Sequence, residues 1–405
     1  MMLRSLAWTC LLVTCVAAGA RAQSPLPADP AENSALVHTG PLSLTPKFEL
    51  LNTGIDSNVF NETENPKKDF TATFRPSLDA TVRLSVFRLV WRAALDAVYF
   101  NTYTDERALN RAGEVRTEVR LARMVPYFTV AGTSTNQRPN NEIDLRAQRS
   151  FNTYTAGAAI LIFSRTAAIF SVQRQRLDYD PSQTFAGEDL ATQLNNHRTL
   201  YDAGARIALT ELTTMSLTGG REEIRFALSP ERDADSNRAG VTFEFNPDAI
   251  ISGSAAVSYR NFHPTSSALE PFRGIVVQAA IRYAYQDRTE LVFRLLRDVD
   301  YSVEEAEPYY VLNAGTATVT QRIGGPFDLQ GTVGIEGRNY RSLVGATPTS
   351  ADPKDTTVTA AGGVGYRFGE YARIGLNYEY TKRDALNTGR SYDRRRIFTS
   401  LTYGF

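Results

Sequence analysis

After Cys15 the sequence contains no cysteine, and the only earlier one is Cys10. Both lie in an N-terminal leader, so disulfides, thiol catalysis and thiolate metal sites are excluded from the rest of the chain. Histidine is almost as scarce. His38, His197 and His263 stand far apart, without two-histidine metal spacing and without a serine–histidine or paired-carboxylate signature. Asp56 and Asn58 offer two oxygens, but the other ligands of a calcium loop are missing. No catalytic residue, metal or cofactor is expected, and the chain reads as a non-enzyme. Neither sign of charge is in excess: 44 Lys+Arg balance 44 Asp+Glu. This excludes a strongly basic nucleic-acid binder and an acidic disordered tail, so nucleic acid is not an expected partner. Lysine is confined to Lys47, Lys67, Lys68, Lys354 and Lys382, which leaves arginine as the dominant cation. Long apolar runs are missing outside the first residues, which excludes a polytopic helical membrane protein. A transmembrane β-barrel survives these exclusions, because its alternating residues average to a middling hydropathy.

What is present begins with a processing segment. Arg4, the short apolar run from Leu6 to Ala18 and Ala20-Arg21-Ala22 read as a secretory signal peptide over residues 1–22. Residues 23–45 contain Pro25, Pro27, Pro30 and Pro41 and are expected to form a flexible periplasmic lead-in, too short for a plug domain.

From residue 46 to 405 the pattern is period two. Glu114, Arg116, Glu118 and Arg120 fall on one side of a strand, with Val115, Val119 and Leu121 on the other. Ile251 to Arg260, Val277 to Tyr285 and Arg373 to Tyr380 repeat the alternation. Short turns and longer polar loops succeed each other strictly, eight turns against nine loops, which predicts eighteen strands. Each strand with its connection takes about 20 residues, which fits a tilted membrane strand and its share of two hairpins. The predicted fold is all-β: a transmembrane antiparallel up-and-down β-barrel with both termini periplasmic. A soluble sandwich does not sustain so many long hairpins with all long loops at one end, and in lipid only a closed sheet leaves no edge. Trp91, Tyr99, Tyr259, Tyr283, Tyr285, Tyr366, Phe368, Tyr378 and Tyr380 suit interfacial girdles. Leu401, Tyr403 and Phe405 alternate to a terminal phenylalanine and resemble the signal read by the bacterial barrel assembly machinery.

Eighteen strands give a backbone diameter of roughly 35 Å and an aqueous lumen. The charged residues expected to line it are Arg92, Asp96, Glu114, Arg116, Glu118, Arg120, Arg198, Asp202, Arg206, Arg282, Glu290, Arg294, Asp298, Glu336, Arg338, Arg367 and Glu379. They can form a substrate track, or neutralise one another and brace the wall. The loops are expected to narrow the mouth without sealing it. Those spanning residues 57–68 and 343–355 are the ones expected to turn inward.

Gly54-Ile55-Asp56-Ser57-Asn58-Val59-Phe60, followed by Phe74-Arg75-Pro76-Ser77-Leu78, resembles the start of the β-barrel porin 2 family. The motif residues are Gly54, Asp56, Asn58 and Phe60. The resemblance implies an outer-membrane channel serving export of exopolysaccharide or capsule. Its implied partners are outer-membrane lipid and lipopolysaccharide, the assembly machinery, polysaccharide and a periplasmic export component. A general or nutrient-uptake porin and a surface-structural adhesin are the alternatives.

Overall fold

The computed structural model describes residues 25–27 and 37–404, except 248, 287, 346–353, 370, 386 and 387. The signal peptide and Phe405 lie outside the described residues. Eighteen long strands follow in order: β1 (Leu42–Asp56), β2 (Asp69–Leu84), β3 (Phe87–Phe100), β4 (Ala108–Val119), β5 (Met124–Gln137), β6 (Ala147–Phe163), β7 (Thr166–Tyr179), β8 (Asn196–Ala208) and β9 (Thr213–Phe226). The second half comprises β10 (Ala234–Phe245), β11 (Ile251–Pro264), β12 (Phe272–Tyr285), β13 (Thr289–Tyr301), β14 (Tyr309–Gly324), β15 (Phe327–Arg341), β16 (Lys354–Phe368), β17 (Ala372–Asp384) and β18 (Tyr392–Tyr403). Each pairs antiparallel with its neighbour, and β18 pairs with β1, so the sheet closes on itself. β1 begins at Leu42, earlier than the sequence suggests, because Val37–Thr39 folds back on Leu42–Leu44 as a short hairpin. The turn between β4 and β5 occupies residues 120–123, and Pro126 already belongs to β5.

Alternation decides which face meets what. Phe128, Tyr154, Phe170, Tyr201, Leu217, Tyr259, Phe293, Val333, Leu376 and Ile397 point outward and are exposed. A water-soluble surface does not carry so continuous an apolar band, whereas a lipid-facing one requires it. Trp91, Tyr99, Tyr259, Tyr285, Phe368 and Tyr378 lie on this face, as do Leu401 and Tyr403 at the end of β18.

Besides register shifts at Leu161/Phe163 and Arg322/Gly324 near short turns, two irregularities of the wall bear on the site. β1 carries a bulge at Leu51–Thr53, with Asn52 at φ 52°. β12 and β13 are paired only from Tyr285/Thr289 to Val277/Arg297. Beyond that point β12 continues with β11 to Phe272, and β13 continues with β14 to Tyr301. The wall forks there. Arg297 Nε donates to the Ile275 carbonyl at 3.0 Å, occupying an acceptor that the strand ladder leaves unpaired.

Candidate functional site

Inward positions carry the charge, and register explains its pairing. Asp79, Arg92 and Glu114 are cross-strand partners on β2, β3 and β4. Arg92 lies 2.7 Å from Glu114 and 3.9 Å from Asp79. Arg75 forks onto Asp96 at 2.5 and 2.7 Å. Glu118 sits between Arg116 and Arg120, at 3.2 and 2.7 Å. Arg120 lies just past β4, and its Nη2 also donates to the Pro27 carbonyl at 2.6 Å, docking the described part of the lead-in at the short-turn end.

A chain of charges runs Arg198–Glu222–Arg260–Asp298 over β8, β9, β11 and β13. Arg238 reaches Asp202 at 2.9 Å across Gly220, where a Cβ would strike the Asp202 carboxylate. Arg206 pairs with Glu244, Arg282 with Glu290, Arg338 with Glu336, Arg367 with Asp328, and Arg396 with Glu379. Arg294 is exposed on the inner face and has no ion pair among the described residues. Asp79 is 64% exposed and Arg282 and Asp298 are each 41% exposed, so water reaches the inner wall. The partners that sequence reading passed over, Arg75, Glu222, Arg238, Glu244, Arg260, Asp328 and Arg396, share the same inward parity. Strand register identifies them.

The loop end differs from the expectation of a mouth narrowed but not sealed. Residues 138–146, between β5 and β6, cross the lumen to the opposite wall. Arg138 donates to the Val59 carbonyl at 2.6 Å and Arg146 to the same oxygen at 2.8 Å. Asn61 donates to Asp144 at 3.1 Å. The 57–68 loop therefore turns inward as expected, with Val59 fully buried. On the far side, Arg383 of β17 bonds Asp144 at 2.5 Å and Asp355 at 2.7 Å. Ser302 donates to Glu142 at 2.7 Å, and Asn140 reaches the Tyr310 hydroxyl at 3.4 Å.

The β13–β14 hairpin completes the closure. Freed by the fork, it leans over the lumen. Its outward-parity residues Val299, Tyr301, Tyr309 and Val311 consequently pack against the inner faces of β9, β11 and β12 through Phe226, Phe262 and Phe272. Ring centroids lie 4.7 Å apart for Phe226–Tyr301 and 5.3 Å for Phe262–Tyr309. Ile143 of the crossing loop and Leu190 of the loop after β7 join this core. Arg232 bonds the Ser302 carbonyl at 2.6 Å, and Arg390 pairs with Glu304 while lying over the Phe185 ring. Of the 343–355 loop, Leu343 packs on this cluster and Asp355 is buried; residues 346–353 lie outside the description.

Burial sets the acidity of the crossing loop. It pushes the Glu142 carboxyl up to about 7, with Asp355 and Glu304 adding to the rise and Ser302 and Arg338 opposing it. Burial, followed by the neighbouring Arg146, pushes Arg138 down to about 9. A docked Glu142 thus holds its proton more tightly than a released one with an ordinary value of 4.5. Its contribution to docking is fully present below 4.5 and is lost as pH rises through about 7. Channel opening in planar bilayers is expected to increase from pH 5 to pH 8, and Glu142→Gln is expected to flatten that dependence.

The sequence motif near residue 54 also finds its place here. Asp56 accepts a fork from Arg394 of β18 and caps the Asn58 amide at 3.0 Å. Asn58 donates to the Glu62 carbonyl at 2.8 Å and to the Asp393 carbonyl at 3.1 Å. Phe60 packs edge-on against Tyr103 at 4.8 Å. The motif thus fastens the first strand to the last and starts the inward loop.

A family profile described as "Putative beta-barrel porin 2" matches residues 37–405. No curated protein sequence matches the chain. Among solved structures, a BenF-like porin from Pseudomonas fluorescens Pf-5 shares 11% identity and a TM-score of 0.48, covering 89% of this chain and 99% of that one. The outer membrane protein OpdK from Pseudomonas aeruginosa shares 10% identity at 0.47, covering 90% and 98%. The siderophore receptor PirA from the same organism shares 10% at 0.40, covering 89% and 80%. With nearly all of its barrel matched by the profile, the chain belongs to the β-barrel porin 2 family and is a porin-type barrel of the outer membrane.

Proposed function

We propose that this protein is a gated outer-membrane channel that exports a secreted polysaccharide, with its loops in the extracellular mouth and its short turns and termini in the periplasm. The observation that supports this reading most is the contrast along the lumen. The wall below is hydrated and charge-compensated, while the mouth is closed by the crossing loop and the leaning hairpin. A general diffusion pore works with an open mouth; a conduit for a dedicated polymer needs one that opens on demand. Nearly balanced inner charges favour a hydroxyl-rich cargo over a strongly charged one, because paired arginines and carboxylates still offer hydrogen bonds while their net field is small. Arg294 remains available on the inner face to meet the cargo.

Deleting the gene and quantifying surface polysaccharide tests the export role. Loss of the polymer, restored by the wild-type gene, is expected. Unchanged secretion together with impaired uptake of small sugars would assign the protein to nutrient entry instead.

A further inference from the structure

The fork between β12 and β13 carries substitutes for the bonds it lacks. The register Val277↔Arg297 would continue to Ile275↔Val299 and Arg273↔Tyr301, but the ladder stops before them. The Ser302 amide bonds the Pro308 carbonyl on the β14 side, so by alternation the Val299 and Tyr301 amides point the other way, toward β12. Each is taken by the side chain before it. Val299 N–H donates to Asp298 Oδ1 at 2.8 Å, and Tyr301 N–H to Asp300 Oδ1 at 2.9 Å. The Ile275 carbonyl, which a zipped ladder would offer to Val299, accepts from Arg297 instead. Local side-chain bonds of this kind give a strand edge an alternative to its ladder.

The apolar pattern fits a second position for the hairpin. Val299 with Val311 and Tyr301 with Tyr309 are cross-strand partners at outward positions, in line with Phe293 and Leu295, which are exposed on the lipid side. An outward apolar row suits contact with lipid. Yet Val299 is 6% exposed and packed inside the lumen, while Ile275 is 57% exposed on the outer face of β12. We infer that the β13–β14 hairpin is a hinged gate with two positions that share one register. In the closed position it leans over the lumen as described above. In the open position Ile275 pairs with Val299 and Arg273 with Tyr301, the hairpin rejoins the wall, its apolar row meets lipid, and the lumen is cleared. The substitutes satisfy three groups that the ladder would otherwise pair, which lowers the cost of unzipping and brings the two states close in free energy. Contacts at the hairpin tip latch the closed state: Ser302 with Glu142, the Ser302 carbonyl with Arg232, and the Ala306 carbonyl with the Leu343 amide. The Leu269–Leu343 bridge, joining the β11–β12 loop to the residues after β15, must release with them. This gate rests on the reading of a gated channel and not on its cargo. Unchanged polysaccharide secretion after gene deletion would remove the export role and leave the gate standing.

The test is a disulfide between Ile275→Cys and Val299→Cys. In the closed position the two residues lie on opposite faces of β12, and only zipping makes them neighbours. The full barrel is reconstituted in liposomes and oxidised with copper phenanthroline, with folding checked by heat-modifiable gel mobility; planar bilayers report conductance. A disulfide is expected to form in the folded barrel and to lock conductance several-fold above the closed level, with reductant reversing the lock. The reduced pair is expected to open and close as the wild type does. No disulfide in the folded barrel, or a disulfide that leaves conductance at the closed level, would overturn the proposal. Arg297→Met removes the substitute on the Ile275 carbonyl and is expected to raise the open probability several-fold; an unchanged open probability in the folded variant would also overturn it. If Arg297→Met does not fold, the cysteine pair still decides.

Discussion

Replacing residues 138–146 by a short glycine–serine linker is expected to turn a poorly conducting barrel into an ohmic pore, raising single-channel conductance several-fold. The reason lies in what this segment touches. It is bonded both to the 57–68 loop and to the far wall at Ser302, Tyr310 and Arg383. Arg383 and Asp355 are almost wholly buried, so the segment also covers a charged pair that water would otherwise solvate. Removing Arg383 alone would leave Asp144 and Asp355 without their cation, at a cost of about 3–5 kcal/mol. That change perturbs the wall as well as the loop. Excising the loop keeps the Arg383–Asp355 pair and opens it to solvent. The expected variant is therefore folded and leaky, with folding read from gel mobility and leakiness from conductance.

Gly54→Val is expected to abolish barrel formation, leaving no heat-modifiable species. At Gly54 β1 returns to register after its bulge, and a Cβ there would collide with the Ile397 carbonyl on β18. That carbonyl is backbone of the last strand, so the clash cannot be relieved by rotating a side chain. β1–β18 is also the one pairing that closes the sheet, and an open edge in lipid leaves a row of unpaired peptide groups. Gly331→Ala supplies the control. A Cβ there meets only the flexible Val319 side chain at 3.5 Å, and the barrel is expected to fold.

The alternation of residues was enough to read the architecture. Glu114 to Arg120 against Val115 and Val119 fixes which face is wet, and strict succession of turns and loops fixes the strand number, because membrane strands obey period two throughout. The inner ion pairs were half visible. Arg92 and Glu114 could be placed on one face, but their partnership depends on register, which turn geometry sets. The closed mouth was least visible. One trace of it exists: Tyr309-Tyr310-Val311-Leu312 is a continuous apolar run, the pattern of a strand covered on both faces. Local sequence does not state what covers it. Ile143 and Glu142 read as ordinary loop residues until the loop is seen to cross the lumen, since their partners at Phe262, Tyr309 and Ser302 are far away in the chain.

The crossing itself can be measured directly, because no cysteine follows Cys15 to interfere with an engineered pair. Glu142→Cys combined with Ser302→Cys places two thiols where the present side chains meet at 2.7 Å. A short thiol-reactive cross-linker should join them in the folded barrel and hold conductance at its closed level, including at pH 8. The Ser302→Cys control should open as the wild type does, and the Glu142→Cys control should show the flattened pH dependence expected of Glu142→Gln without being locked by the cross-linker. Failure of the pair to cross-link, with large ohmic conductance before and after treatment, would contradict a mouth closed by this loop.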